Sequence, residues 1–416
     1  MLDRFLEKHG QVRFIRLHWV DYSGVMHTRL LSKAKAMRLQ QDPSSTYKIC
    51  VNALIIPIST SPACDASAAQ VWEVLPDWES VRLCGFGYEH GGASLLIGFE
   101  LEFVLLDDHN QVPQSVDRIE GFSTNAGLRV DNLVIVEKIF DAVEAADIQI
   151  HHLHTETTDQ LEISLEPLEP MAAVEALLYT QECIRAIAIR HGRRATLAPR
   201  PFLARHPANG LHTHISGVFP NSATAAAAAA SAGERFDRFI AGITGSLRAA
   251  CLFGLANYDS DHRVRDDGAG RWVGWGTENR DFPLRKIGAA HWELRFADAT
   301  ANFYLFLSVV VGAGSAGLRN GDVLSPWRDC RVLNPSELGR DELASRYGIT
   351  ENLPFSLGEA LGDARQDPNL AEWVGLDLLN KYFEIKEKEK RQSFSLPLLC
   401  LLYTIARSLL INYFQR

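Results

Sequence analysis

The stretch Leu96-Ile97-Gly98-Phe99-Glu100-Leu101-Glu102-Phe103-Val104-Leu105-Leu106 is apolar apart from one glycine and a pair of glutamates. It reads as a strand of a buried sheet, interrupted by two acids. Alternate residues on a strand project to one face, so Glu100 and Glu102 point into the same space. Two carboxylates held there repel each other unless a cation lies between them. A solvated strand face is the plain alternative, since charged side chains are mostly exposed. The rest of the chain decides between the two.

Four further segments gather polar residues, three of them on expected strands with the same two-residue spacing. His154-Thr-Glu-Thr-Thr-Asp-Gln-Leu-Glu162 supplies Glu156 and Glu162. Asn209-Gly-Leu-His-Thr-His-Ile-Ser216 puts His212, His214 and Ser216 on one face, as a metal or a nucleotide site requires, though surface histidines often do no more than hydrogen-bond. His291-Trp-Glu-Leu-Arg295 sets Glu293 beside Arg295, which as an isolated salt bridge is worth little. Among turn-forming residues, Trp275-Gly-Thr-Glu-Asn-Arg-Asp-Phe-Pro-Leu-Arg285 brings Arg280 and Arg285, whose directed donors suit phosphate or carboxylate oxygens. Magnesium-like cations prefer oxygen ligands, so carboxylates with arginines nearby suit metal-bound nucleotide phosphates.

With 416 residues and 46% hydrophobic content, the chain can bury a large core and is expected to form two domains. A formal charge of -9 without a long basic run gives no electrostatic footprint for nucleic acid. Seven scattered cysteines without a CxxC pair, and no cleavable signal, fit a reducing, cytoplasmic setting. The apolar run Leu398 to Leu410 contains Arg407 and falls short of the roughly 20 residues of a membrane span. No membrane partner is expected.

Alternation in Val12 to Tyr22, then Ser23-Gly24, predicts a strand and a turn into a second strand over Val25 to Leu31. The glycine-rich Gly85 to Gly92 marks a boundary, dividing a small β-rich unit over 1–92 from a larger one over 93–416. In the larger unit, helical periodicity covers Met171 to Arg190, Gly233 to Leu255 and Ala301 to Leu318, and strands are expected at Gln160 to Leu165, Leu211 to Gly217 and His291 to Phe296. Ala225 to Ala230 leads into the second helix. The class is α+β.

Taken together, the segments resemble the glutamine synthetase family, with its Gly-x-Glu-x-Glu, Gln-x-Glu and His-x-His-x-Ser strands, Asn-Arg loop and Glu-x-Arg strand, in that order over roughly Val12 to Glu389. Within it the chain is most similar to the glutamine-synthetase-like half of fungal FluG-type proteins, through His291-Trp-Glu-Leu-Arg, Trp275-Gly-Thr-Glu-Asn-Arg and Pro76-Asp-Trp. The resemblance implies an N-terminal β-grasp-like domain, shortened here, before a catalytic domain with a curved antiparallel sheet and flanking helices. It implies one metal held by Glu102, Glu156 and Glu162 and another by Glu100, His212 and Glu293, as Mg2+ or Mn2+, two ions or more. Arg280 and Arg285 match the arginines that steady the nucleotide phosphates and the transferring group, and Arg263 and Arg295 those that hold the substrate carboxylate. His214 and Ser216 would face the nucleotide.

The implied chemistry is phosphorylation of a glutamate-like carboxylate by ATP, then attack on the acyl phosphate by ammonia or a small amine, in a homo-oligomer whose sites lie between subunits. The alternatives are a catalytically silent relative with a structural or developmental signalling role, and a kinase that loses its acyl phosphate to water. Departures gather on the amine side. His206 to Leu211 keeps only the last glycine of the usual Asn-Gly-Ser-Gly run, Val264 to Arg271 lacks the flap glutamate and offers Asp266 or Asp267, and no amine-activating aspartate aligns in Val51 to Ala69.

Overall fold

The structure is a computed structural model that describes residues 2, 14–21, 26–42, 47–50 and 71–74 and, with short gaps such as 203–207 and 219–224, residues 94–393. In the N-terminal part, strands β1 (Phe14–Val20) and β2 (Met26–Ser32) form the predicted antiparallel hairpin. Helix α1 (Lys33–Gln41) follows, begun by the Ser32 hydroxyl, which accepts from the Lys35 amide. Its Ala36 and Leu39 pack on Leu2 and Leu31. Strands β3 (Tyr47–Cys50) and β4 (Val71–Val74) make a separate antiparallel pair. The glycine-rich boundary at 85–92, the stretch 51–69 and the apolar run at 398–410 lie outside the described residues.

Eight strands form the main sheet among the described residues. Its longest strand is β5 (Ser94–Leu106), built from the two-glutamate stretch. On one side β5 pairs with β7 (Gln160–Leu165), which pairs with the edge strand β6 (Ile150–Thr155). On the other side come β9 (Leu211–Val218), β12 (His291–Leu294), β11 (Leu284–Gly288) and β10 (Trp275–Thr277), while the short β8 (Arg194–Thr196) pairs with the last residues of β5. All pairings are antiparallel except β10 with β11. Mixed helices and an antiparallel-dominated sheet make the fold α+β, as expected.

Strand alternation sorts the sheet into two faces. Phe99, Leu101, Phe103, Leu161, Ile163, Leu211, Ile215, Trp292 and Leu294 point one way and are at most 1% exposed. Each large apolar side chain so buried contributes about 1.5–3 kcal/mol. Helices cover this face: α2 (Asp131–Glu144), α3 (Pro170–Arg190), α4 (Ala225–Gly245), α5 (Leu247–Gly254) and α6 (Phe303–Asn320). Proline at the first position starts α3, and Asn302 caps α6 by accepting from the Tyr304 and Leu305 amides. Gly242 and Gly317 let α4 and α6 touch backbone to backbone, since a Cβ on Gly242 would fall 2.2 Å from the Ala313 carbonyl oxygen.

Two predicted elements differ from the structure. The period over Gly233 to Leu255 spans two helices, α4 and α5, because Ser246 leaves helical geometry at φ −108°, ψ 14°. The last strand stops at Leu294, where the Arg295 amide turns to the Pro283 carbonyl at 2.8 Å. Farther on, α7 (Arg340–Tyr347), α8 (Leu357–Gln366), α9 (Leu370–Val374) and α10 (Leu376–Ser393) complete the described chain. Buried Lys386 ties α10 to the end of α5 through the Ala256 carbonyl at 2.7 Å. No helix among the described residues is long and apolar enough to cross a membrane.

Candidate active site

Strand register builds the site on the opposite face. Glu100 stands across from His212 on β9 and Ser164 on β7, Glu102 across from Glu162, Glu162 across from His154, and His214 across from Glu293. Directly opposed residues share a face. Acids distant in sequence therefore converge because each strand alternates, as the first reading of β5 requires. His212 Nδ1 lies 3.3 Å from Glu100 and 3.4 Å from Glu293, and its Nε2 lies 3.7 Å from Glu102. His214 Nε2 is 3.1 Å from Glu100.

Glu102 is fixed from two directions: Gln160 Nε2 and the Gly210 amide both donate to its Oε2 at 2.7 Å. Gln160 is itself held by the Asn209 side-chain oxygen at 2.9 Å. Gly210 also lies under Arg263, and a Cβ there would sit 2.3 Å from Arg263 Nη1. The one glycine retained from the family's run thus serves both the acid and the arginine. Glu156 begins a tight turn from β6 to β7, closed by its amide on the Gln160 carbonyl at 2.9 Å. The loop's brevity leaves Asp159 at φ 67°, buried and gripped by Arg118.

Charge is concentrated beyond what these carboxylates tolerate alone. Burial, together with the neighbouring Glu102, pushes Glu156 up to about 7. Burial and the Glu100, Glu102 and Glu156 carboxylates push Glu162 up to about 8, against the opposing contact with His154. The Glu162 hydrogen bond raises His154 in turn, so the pair shares a proton that it holds above neutrality. Glu100 goes the other way: burial raises it, but His212 and His214 outweigh burial and hold it well below the usual carboxylate range. Burial likewise raises Glu293, yet Arg295 and His212 bring it down to about 2.

The arginines line the same face. Arg285 donates to Glu293 at 2.8 Å and also pairs with Glu278, while Arg295 pairs with Glu293 from the other side. Arg263 is 2% exposed and donates to the Arg295 carbonyl at 3.1 Å. The Nε atoms of Arg263, Arg285 and Arg295 are buried without a hydrogen-bond partner, leaving each with spare donor capacity at the site. Arg280 is exposed and acts on Glu156 through its charge. Its loop is pinned by Asn279, which is buried and donates to the Cys330 and Val332 carbonyls at 2.9 and 2.8 Å. Ser216 is half-buried at the far end of β9, opposite Leu96 and His291.

The order of these motifs along the chain agrees with a family profile described as the glutamine synthetase catalytic domain, which matches residues 86–397. The chain belongs to the glutamine synthetase family. Among curated relatives, it is 26% identical to the protein FluG of Emericella nidulans over 94% of this chain and 48% of the relative. It is 28% identical to the gamma-glutamylpolyamine synthetase GlnA3 of Streptomyces coelicolor over 71% of this chain and 64% of that one. The chain thus spans about half of FluG and under two thirds of GlnA3. In fold it matches a GmaS–ADP complex with a TM-score of 0.75 at 18% identity, covering 95% of this chain and 96% of that one. A Plasmodium falciparum glutamine synthetase aligns with a TM-score of 0.69 at 16% identity, covering 95% and 96%.

Members of the glutamine synthetase family use ATP and divalent metals, and the donor set here fits such ions. One ligand atom each from Glu100, Glu162 and His212 lies within 4.8 Å of the others, and the same holds for Glu100, His214 and Glu293. Carboxylate oxygens with a single imidazole suit Mg2+ or Mn2+. His212 also stands beside both acids of its expected set, 3.3 Å from Glu100 and 3.4 Å from Glu293, while Glu162 groups with Glu100 and His212 and His214 adds a second imidazole near Glu100 and Glu293. Asp266, one of two candidates for the missing flap acid, is occupied by Ser336, whose hydroxyl donates to it at 2.7 Å. Asp267, the other, lies outside the described residues. Residues not anticipated from sequence are His152 and His154, which face Ser164 and Glu162, and His291, 3.0 Å from His214. His152 and His154 repeat the His-x-His pattern of β9, but only the register of β6 shows which face they take.

Proposed function

We propose that the chain is an ATP-dependent amide ligase of glutamine synthetase type, joining ammonia or a small amine to the γ-carboxylate of glutamate or an analogue. The convergence of Glu100 and Glu293 on His212, with Arg285 paired to Glu293, carries this reading. In the proposed reaction the γ-phosphoryl group of ATP passes to the carboxylate oxygen, giving an acyl phosphate and ADP. The amine nitrogen then attacks the acyl carbon and gives up a proton to water, the carbon–oxygen bond breaks, and phosphate leaves. Arg280 and Arg285 steady the phosphates, where preorganised cations lower the barrier most. Arg263 and Arg295 orient the amino-acid carboxylate, and His214 and Ser216 face the nucleotide. Divalent ions bound by Glu102, Glu156 and Glu162 and by Glu100, His212 and Glu293 would offset phosphoryl charge. We place a shortened β-grasp-like unit over 1–92 ahead of the catalytic unit over 93–416, in a homo-oligomer.

The test is ADP and phosphate release measured with glutamate, Mg2+ and a panel of amines that includes ammonia and polyamines. Release that requires all three supports the ligase. Release without amine indicates hydrolysis of the acyl phosphate. Tight ATP and Mg2+ binding with no release for any pairing contradicts the ligase and identifies a silent relative.

A further inference from the structure

The edge strand β6 carries a histidine group that the ligase reading does not use. Ile150 pairs with Leu165, yet His152 already pairs with Ser164, so β6 holds an extra residue at this point. Such a bulge re-aims the side chains that follow it. Without it, His152 and His154 would stand opposite Ile163 and Leu161 on the apolar face. With it, both imidazoles turn to the acid face, their rings stacked at 5.3 Å and 13°. One ligand atom each from His152, His154 and Glu162 lies within 4.8 Å of the others.

The second observation concerns which nitrogen is available. His154 Nδ1 lies 3.1 Å from the Thr155 carbonyl oxygen, which can only accept, so Nδ1 carries the proton. Its Nε2 faces Glu162 Oε1 at 3.1 Å. A ring N–H anchored on a backbone carbonyl, leaving the other nitrogen aimed into a cluster, is the outer support that metal-binding histidines show. Both rings are half-buried on the outermost strand of the sheet, so an ion reaches them from solvent. Two imidazoles and one carboxylate make a different ligand set from the oxygen-rich centre next to it. Imidazole favours Zn2+ over Mg2+, and three protein ligands with a water complete a tetrahedral site.

We propose that His152, His154 and Glu162 form a separate site for a Zn2+-class ion, sharing Glu162 with the carboxylate centre. An ion held there draws Glu162 away from Glu100 and His212, so zinc weakens divalent-ion binding at the neighbouring centre. The site stands on its own geometry and not on the ligase reading. Binding is therefore the readout, so a failure here leaves that reading untouched.

The experiment titrates Zn2+ into the metal-free full chain against a chromophoric chelator and follows Mn2+ binding separately by electron paramagnetic resonance. Support for a metal-ligating histidine is worth about 10–100-fold in affinity, so loss of a ligand itself should weaken Zn2+ binding at least about tenfold. His152→Ala and His152→Asn are both expected to show that loss, to bind Mn2+ like wild type, and to lose the antagonism between Zn2+ and Mn2+. Wild-type Zn2+ affinity in both variants overturns the proposal. Loss of Zn2+ with His214→Ala but not with His152→Ala also overturns it, since it would put the ion beside Glu100 and Glu293.

Discussion

The two faces of the main sheet are made by the same strands and obey opposite physics. On one face Phe99, Leu101 and Ile163 are fully buried among helices, and every contact favours the folded chain. On the other, Glu100, Glu102 and Glu162 crowd around His212, and Glu156 and Glu162 keep their protons to about 7 and about 8. The first face stabilises, whereas the second is held in place against its own repulsion. A protein tolerates such strain where function needs it.

The largest expected effect lies on the apolar face. Phe99→Ala should lower the unfolding free energy by about 3–5 kcal/mol in a denaturant titration. Across the sheet, Glu162→Gln should leave the metal-free chain no less stable at pH 8 but remove the protection given by Mn2+. That protection is about 2.7 kcal/mol at a hundredfold excess over Kd and is read as a lost rise in Tm. Gly210→Ala sits between the faces in character. Its Cβ collides with Arg263, so it should cost about 1–3 kcal/mol in a denaturant titration.

The sign of the pH dependence sharpens the contrast. The hydrogen-bonded His154–Glu162 pair holds its proton more tightly in the folded chain, with both groups raised above their ordinary values, so above neutrality the folded chain binds more protons than the unfolded one. Their contribution is present below the unfolded values and is lost as pH rises through this window, by about 1.4 kcal/mol per pH unit for each proton difference. Metal-free stability should thus fall from pH 7 to pH 9 while Mn2+ protection grows. Thermal unfolding with and without Mn2+ checks both directions. Asn279→Ala should have the smallest effect, about 1 kcal/mol, because the loop carrying Arg280 loses its anchor on Cys330 and Val332 but no buried charge.

The sequence was most legible where strand alternation is strict. Glu100, Glu102, His212, His214 and Glu293 share a face because a two-residue period leaves no other arrangement once the register is set. The histidines of β6 were not legible, since a bulge decides which way they point and a bulge has no period. Nor was the commitment of Asp266 to Ser336, a contact across 70 positions of chain. Arg263 was identified through its resemblance to a substrate arginine, but its burial under Gly210 belongs to packing alone. The α4–α5 break escaped because the apolar period continues through Ser246.

Divalent-cation binding by the polar face underlies every role given to its acids. A Mn2+-soaked crystal of the chain with a non-hydrolysable ATP analogue, read by anomalous scattering, tests it directly. Manganese peaks are expected among Glu100, His212 and Glu293 and among Glu102, Glu156 and Glu162, with the analogue's phosphates toward Arg280 and Arg285. Nucleotide bound with no manganese on this face, or manganese held away from these carboxylates, would contradict such binding.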